Sequence, residues 1–125
     1  MLKKILLLSA GGACGTLCRY WLSGVAQRLA GTNFPAGTFA VNMLGCFLFG
    51  TVWGYMENRI GLGGDLRLLL LSGFMGAFTT FSTYMFETAN LVKLSQYLQA
   101  TLNIAGQSVA GLILVLLGIA LGRML

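Results

Sequence analysis

Four stretches of this chain are apolar for long enough to cross a lipid bilayer, and little chain is left between them. A helix needs about 20 such residues to span the hydrocarbon. The stretches run from about Ile5 to Ala30, about Gly37 to Met56, about Leu66 to Val92 and about Leu98 to Leu125. The connectors are Gly31-Thr32-Asn33-Phe34-Pro35, then Glu57 to Asp65, then a short link around Lys93 to Tyr97. The expected fold is all-α and integral to the membrane, one four-helix domain over residues 1–125. Composition agrees. Charged residues make up 9% of the chain, against about a quarter in a soluble domain. So few could not cover a surface facing water.

The segment from Met1 to Gly15 imitates a signal peptide, with two lysines ahead of an apolar run and small residues. Apolar character resumes at once through Leu17, Tyr20, Trp21, Leu22 and Val25, so the expectation is an uncleaved first transmembrane helix. Four spans place both termini on one side. Lys3, Lys4, Arg59, Arg67 and Arg123 then share that side, and Arg28 and Lys93 the other, with Arg19 inside a span. The positive-inside rule favours a cytoplasmic N-terminus only weakly, which allows copies to insert each way. There is no basic run and no histidine, so nucleic acid is not an expected partner. Cys14, Cys18 and Cys46 lack CxxC spacing and read as small apolar residues. Gly11 with Gly15, Gly50 with Gly54, and Gly118 with Gly122 are GxxxG pairs, which permit tight helix contact within a subunit or between subunits.

Polar groups in hydrocarbon are expensive, so the ones inside these spans carry the functional reading. Arg19 lies about 22 Å beyond Lys4 along a helix, near the far edge of the roughly 30 Å core. It either snorkels to that edge or sets a positive charge at the mouth of an anion path. Asn42 offers two amide donors without a formal charge, and Thr38 lies one turn earlier on the same face. The pair either joins helices or replaces part of an anion's hydration shell. The third span holds Gly73-Phe74-Met75-Gly76-Ala77-Phe78-Thr79-Thr80-Phe81-Ser82-Thr83-Tyr84. Glycines followed by a threonine pair make a poor continuous helix. A break at membrane depth is tolerated where protein or water lines it, and its freed carbonyls can bind a cation. The alternative is a helix that only bends, its hydroxyls bonding back to carbonyls. Phe81 and Tyr84, three apart, share a helix face; they either pack against neighbours or turn electropositive ring edges to an anion. Asn103 and Gln107 share a face of the fourth span, with Ser108 beside them, and Glu87 closes the polar part of the third; these either line a wet path or join helices.

Together these residues resemble the Fluc, or CrcB, family of fluoride channels over essentially the whole chain. The matching parts are Gly12 through Arg19, Gly37-Thr38 with Val41-Asn42, and Gly76 through Glu87, of which Thr79-Thr80-Phe81-Ser82-Thr83 is the most specific. The resemblance implies an antiparallel homodimer of dual topology in a prokaryotic cell (inner) membrane. It implies two fluoride pores along the subunit interface. It also implies a structural Na⁺ at the dimer centre, held by the backbone carbonyls of Gly76 and Thr79 on third helices broken near mid-membrane. By the same resemblance Asn42 is the pore asparagine, Phe81 the first ring facing fluoride, and Ser82 and Thr83 the hydroxyl residues after it. Arg19 is the span-one arginine, Glu87 the closing acid, and Asn103 and Gln107 fall on a polar track. The chain departs from the family at Tyr84, where a second phenylalanine is usual, and at Ala77, where a second glycine is usual.

The implied function is passive, fluoride-selective export of cytoplasmic fluoride for fluoride resistance, by a channel and not an enzyme. No nucleotide-binding loop is present to couple energy. One rival is a small multidrug-resistance-type exporter that couples cation efflux to protons. It needs a membrane carboxylate, and spans one, two and four hold none within the core, which leaves Glu87. A second rival is a non-transporting assembly or holin-like protein, which would not need a polar broken helix.

Overall fold

The computed structural model describes residues 1–57, 59 and 63–125. The predicted connector from Glu57 to Asp65 includes residues 58 and 60–62, which lie outside the described ones. Helix α1 spans Leu2–Ala30 and α2 spans Ala36–Glu57. The third span, Gly64–Lys93, has several parts. These are α3 (Gly64–Arg67), a π-helical stretch Leu68–Met75, α4 (Gly76–Phe78) and α5 (Phe81–Lys93). Helix α6 spans Tyr97–Met124. All four spans are long and apolar enough to cross a membrane, and each expected boundary falls within a few residues of the observed one. The outward faces are apolar: Leu17, Trp21, Leu112 and Leu116, among others, are exposed. With so little apolar surface turned inward, lipid is the matching solvent.

Two glycine seams hold the bundle. Gly50 and Gly54 of α2 lie against the carbonyls of Val115 and Ile119 on α6, where an added Cβ would overlap the oxygen. Gly118 and Gly122 of α6 lie in the same way against Phe47 and Thr51 of α2. Contacts that advance together along both helices show that α2 and α6 run parallel. Gly11 and Gly15 of α1 form the second seam, against backbone of Leu69 and Phe74 in the π-helical stretch. All three GxxxG pairs thus serve packing within the chain. Lipid tails are as apolar as leucine, so close backbone approach supplies the contact that hydrophobicity cannot.

The loop between α1 and α2 is tied down by one side chain. Gly31 ends α1 at φ 58°, in the left-handed region. Gln27 donates from Nε2 to the carbonyls of Thr32 (2.9 Å) and Phe34 (3.0 Å), and its Oε1 accepts from Gly37 N–H at 3.0 Å. At the opposite end of the bundle Lys3 pairs with Asp65 (2.5 Å) and Arg123 with Glu57 (2.8 Å). The three cysteines are free.

Candidate ion site

The third span is broken, but at the threonines and not at the glycines. Gly76 keeps helical angles (φ −62°, ψ −33°). Thr79 (φ −87°, ψ 159°) and Thr80 (φ −150°, ψ 118°) are extended. A β-branched pair favours extended backbone more than glycine does. Local bonds then hold the new geometry. Thr80 caps α5, its Oγ1 accepting from Thr83 N–H at 3.3 Å and donating to Thr83 Oγ1 at 3.0 Å. Thr79 Oγ1 donates back to the Met75 carbonyl at 3.0 Å.

Asn42 closes the gap from α2. Its Oδ1 accepts from Thr80 N–H at 3.0 Å, and its Nδ2 donates to the Thr80 carbonyl at 3.2 Å. The side-chain amide thus stands in for the missing helical partners. In an unbroken α-helix Thr80 N–H would bond to the Gly76 carbonyl and Thr83 N–H to that of Thr79. Asn42 and the Thr80 hydroxyl take those two donors instead. The Gly76 and Thr79 carbonyls thereby leave the helical ladder, as oxygen acceptors without a partner among the described residues.

Two grooves flank the break, and Thr80 lines both. The first, about 370 Å³, is lined by Asn42, Thr79, Phe81, Tyr84, Gln107 and Ser108 among others. Phe81 is 73% exposed while Tyr84 is 7% exposed, and their rings meet edge-on with centroids 5.7 Å apart. The Tyr84 hydroxyl has no hydrogen bond to Asn103, whose amide is taken by Thr88 and Gln107. The second groove, about 470 Å³, is lined by Arg19, Ser23, Thr38 and Thr83 among others. Arg19 makes no salt bridge there among the described residues. Ser82 is exposed beside the break, its Oγ 3.5 Å from Thr80 Oγ1.

The remaining predicted residues lie deeper. Thr38 donates to Glu87 Oε1 at 2.7 Å, and Glu87 Oε2 is buried without a partner among the described residues. Asn103 is fully buried and Gln107 is 8% exposed. They belong to one chain of bonds: Asn42 Nδ2 donates to Gln107 Oε1 (2.7 Å), Gln107 Nε2 to Asn103 Oδ1 (2.9 Å), Asn103 Nδ2 to Thr88 Oγ1 (2.8 Å), and Thr88 Oγ1 to the Tyr84 carbonyl (2.8 Å). Sequence reasoning missed Thr88, Thr80's double role and Gln27. Thr88 was open to detection, because it lies one turn from Tyr84 on a face that must meet the Asn103 stripe.

Residues 6–119 match the family described as CrcB-like protein, Camphor Resistance (CrcB). The chain belongs to this CrcB-like family. Full-length relatives agree with the assignment. A protein of Maridesulfovibrio salexigens is 56% identical, covering 99% of this chain and 98% of its own. One of Nitratidesulfovibrio vulgaris is 54% identical, covering 98% and 99%. One of Nitrosococcus oceani is 46% identical over the whole of both. Each of these relatives is named fluoride-specific ion channel FluC. As a CrcB-like protein with four membrane-spanning helices, the chain is a multi-pass membrane protein.

Proposed function

We propose that this chain forms a fluoride-selective channel that lets cytoplasmic fluoride leave passively, conferring fluoride resistance. The observation that carries the reading is the broken third span, with its uncharged donors and ring edges gathered on two grooves, in a chain whose relatives are named fluoride-specific ion channels. A small anion gives up its hydration only where donors replace water, and it leaves again only where those donors are weak. Hydroxyls of Ser82 and Thr83, the Asn42 amide when it exchanges partners, and the edges of Phe81 and Tyr84 fit that requirement, while Gln107 and Thr38 stand behind them with their own donors given to Asn103 and Glu87. Arg19 gathers anions at the second groove, Glu87 stands beyond it, bonded to the Thr38 hydroxyl that lines it, and Asn103 supports Gln107 from behind.

The same reading makes the functional unit an antiparallel homodimer in the cell inner membrane, inserted both ways in lipid. A Phe81 ring 73% exposed beside the polar break is a surface that a second copy would cover. The residues also fit a Na⁺ ion. Hard monovalent cations take carbonyl oxygens, and the Gly76 and Thr79 carbonyls are the ones the break releases. Na⁺ there would supply positive charge that holds the freed carbonyls together. The exporter reading gains nothing, since the acid inside the third span already has Oε1 engaged by Thr38.

Fluoride efflux from liposomes holding only this protein tests the proposal. Fluoride should leave rapidly with a potassium ionophore present, and chloride should not. Equal rates for the two anions, or none for fluoride, would overturn it. Replacing Na⁺ by a large organic cation should abolish efflux, and accessibility labelling should find termini on both faces.

A further inference from the structure

The hydrogen bonds that run from Thr88 to Asn42 are ordered end to end. Thr88 Oγ1 donates to a backbone carbonyl, that of Tyr84. Its single proton is spent, so toward Asn103 it can only accept. Asn103 must therefore turn its NH₂ to Thr88 and its Oδ1 to Gln107. Gln107 must turn its NH₂ to Asn103 and its Oε1 to Asn42. That leaves Asn42 with NH₂ toward Gln107 and Oδ1 toward Thr80 N–H. At this far end the partners are again backbone groups, whose donor and acceptor identities cannot invert. Every link agrees in sense. Asn103 and Gln107 are almost completely buried, so water does not compete for the middle of the chain.

We infer that Thr88, Asn103 and Gln107 are positioning residues. They act through Asn42 as an oriented relay that latches the third span open at Thr80. Both protons of the Asn42 amide and its oxygen are already used, so in this state the residue shapes the site more than it binds an ion. If the Asn42 amide turned over, its NH₂ would face Thr80 N–H. That donor would be free to return to the Gly76 carbonyl four residues back, and the break would begin to close. The relay thus keeps the Gly76 oxygen available and the groove walls apart. The functional consequence rests on the channel reading; the latch itself does not.

Amide hydrogen exchange at Thr80, read on the purified full-length protein in lipid nanodiscs, tests the relay directly. Thr88→Val keeps the shape and removes the terminal hydroxyl. It should speed exchange at Thr80 roughly threefold to 20-fold, the range for one hydrogen bond between membrane helices. Thr88→Ser restores the hydroxyl and should return exchange to the native rate. A second pair reads polarity. Gln107→Glu still presents an acceptor to Asn42 and should keep Thr80 protected; Gln107→Met has similar length and no acceptor, and should release it. Unchanged exchange in folded Thr88→Val or Gln107→Met protein would overturn the relay. So would release by Thr88→Ser equal to that by Thr88→Val, because bulk and not the hydroxyl would then be what matters. Fluoride efflux from the same preparations separates the two claims: a native protein without efflux removes the channel reading, while the exchange pattern still decides the latch.

Discussion

The two halves of the third span are held by different physics. From Leu68 to Phe78 the chain is anchored by shape. Gly11 and Gly15 of α1 let its backbone approach so closely that no side chain fits between. From Thr80 to Lys93 it is anchored by polar bonds. Asn42 grips Thr80, Thr38 grips Glu87 and Asn103 grips Thr88. A glycine seam has no substitute partner, so that half is a fixed wall. A hydroxyl or amide bonds equally well to water, an anion or a neighbouring carbonyl, so the other half can exchange partners. The break lies where one mode gives way to the other, which is where a permeating ion needs rigid framing and replaceable donors side by side.

That contrast predicts the largest effect on the shape-held half. Gly15→Leu drives a side chain into the Phe74 carbonyl, overpacking that costs about 3 kcal/mol or more. The expected outcome is no monodisperse protein on size-exclusion chromatography. Gly12→Ala, three residues earlier on the same helix, meets nothing within 4 Å and should purify as the native chain does. If both behave alike, the seam is not what anchors this half.

The polar half should fail in function before it fails in fold. Asn42→Leu removes three hydrogen bonds at once, a loss of about 2 kcal/mol at about 0.6 kcal/mol each. The protein should remain folded while fluoride efflux falls about tenfold or more. Asn42→Asp should do the same by another route. It puts a carboxylate against the Thr80 carbonyl and on the anion path, where repulsion is poorly screened. Native efflux from either folded variant would place the ion path away from Asn42.

The shape-held half was the more legible in sequence. Apolar length gave the spans, and GxxxG spacing marked Gly11, Gly15, Gly50, Gly54, Gly118 and Gly122 as contact points, because only glycine permits such approach. Spacing does not name the partner, so the pairing of α2 with α6 emerged only in three dimensions. The π-helical turn at Leu68–Met75 has no composition of its own; it follows from fitting that backbone against α1. The break was expected among glycines followed by threonines, yet glycine merely permits extension, whereas Thr79 and Thr80 favour it and Asn42 rewards it from another helix. Asn103 and Gln107 were recognised as polar on one face, but whether they line a path or support one depends on burial, which one helix alone does not reveal.

A smaller effect separates the two grooves. Thr38→Val removes the donor to Glu87 Oε1, leaving a carboxylate whose other oxygen already lacks a partner among the described residues. One interhelical bond of this kind is worth about 1 kcal/mol, so the thermal midpoint should fall slightly and efflux should drop a few-fold. The Asn42 latch, on the other groove, should be untouched: Thr80 exchange in this variant should match the native protein. Faster exchange there would mean that the polar half responds as one unit and not as two walls.

The smallest effect is expected at Tyr84. Its ring is buried, lines the first groove and meets Phe81 edge-on, while its hydroxyl makes no hydrogen bond among the described residues. The ring therefore carries the contribution and the hydroxyl little of it. Tyr84→Phe keeps the ring and its electropositive edge, and should leave efflux and stability within error of the native protein. Tyr84→Ile loses the edge contact, worth about 0.5 kcal/mol at the low end for an aromatic pair, and should slow efflux roughly twofold by that same measure. A phenylalanine variant that slows efflux as much as the isoleucine one would show that the hydroxyl itself donates to the ion. Tyr84 would then belong with the exchangeable donors of the polar half, and Phe81 would remain the one ring that frames the path by shape.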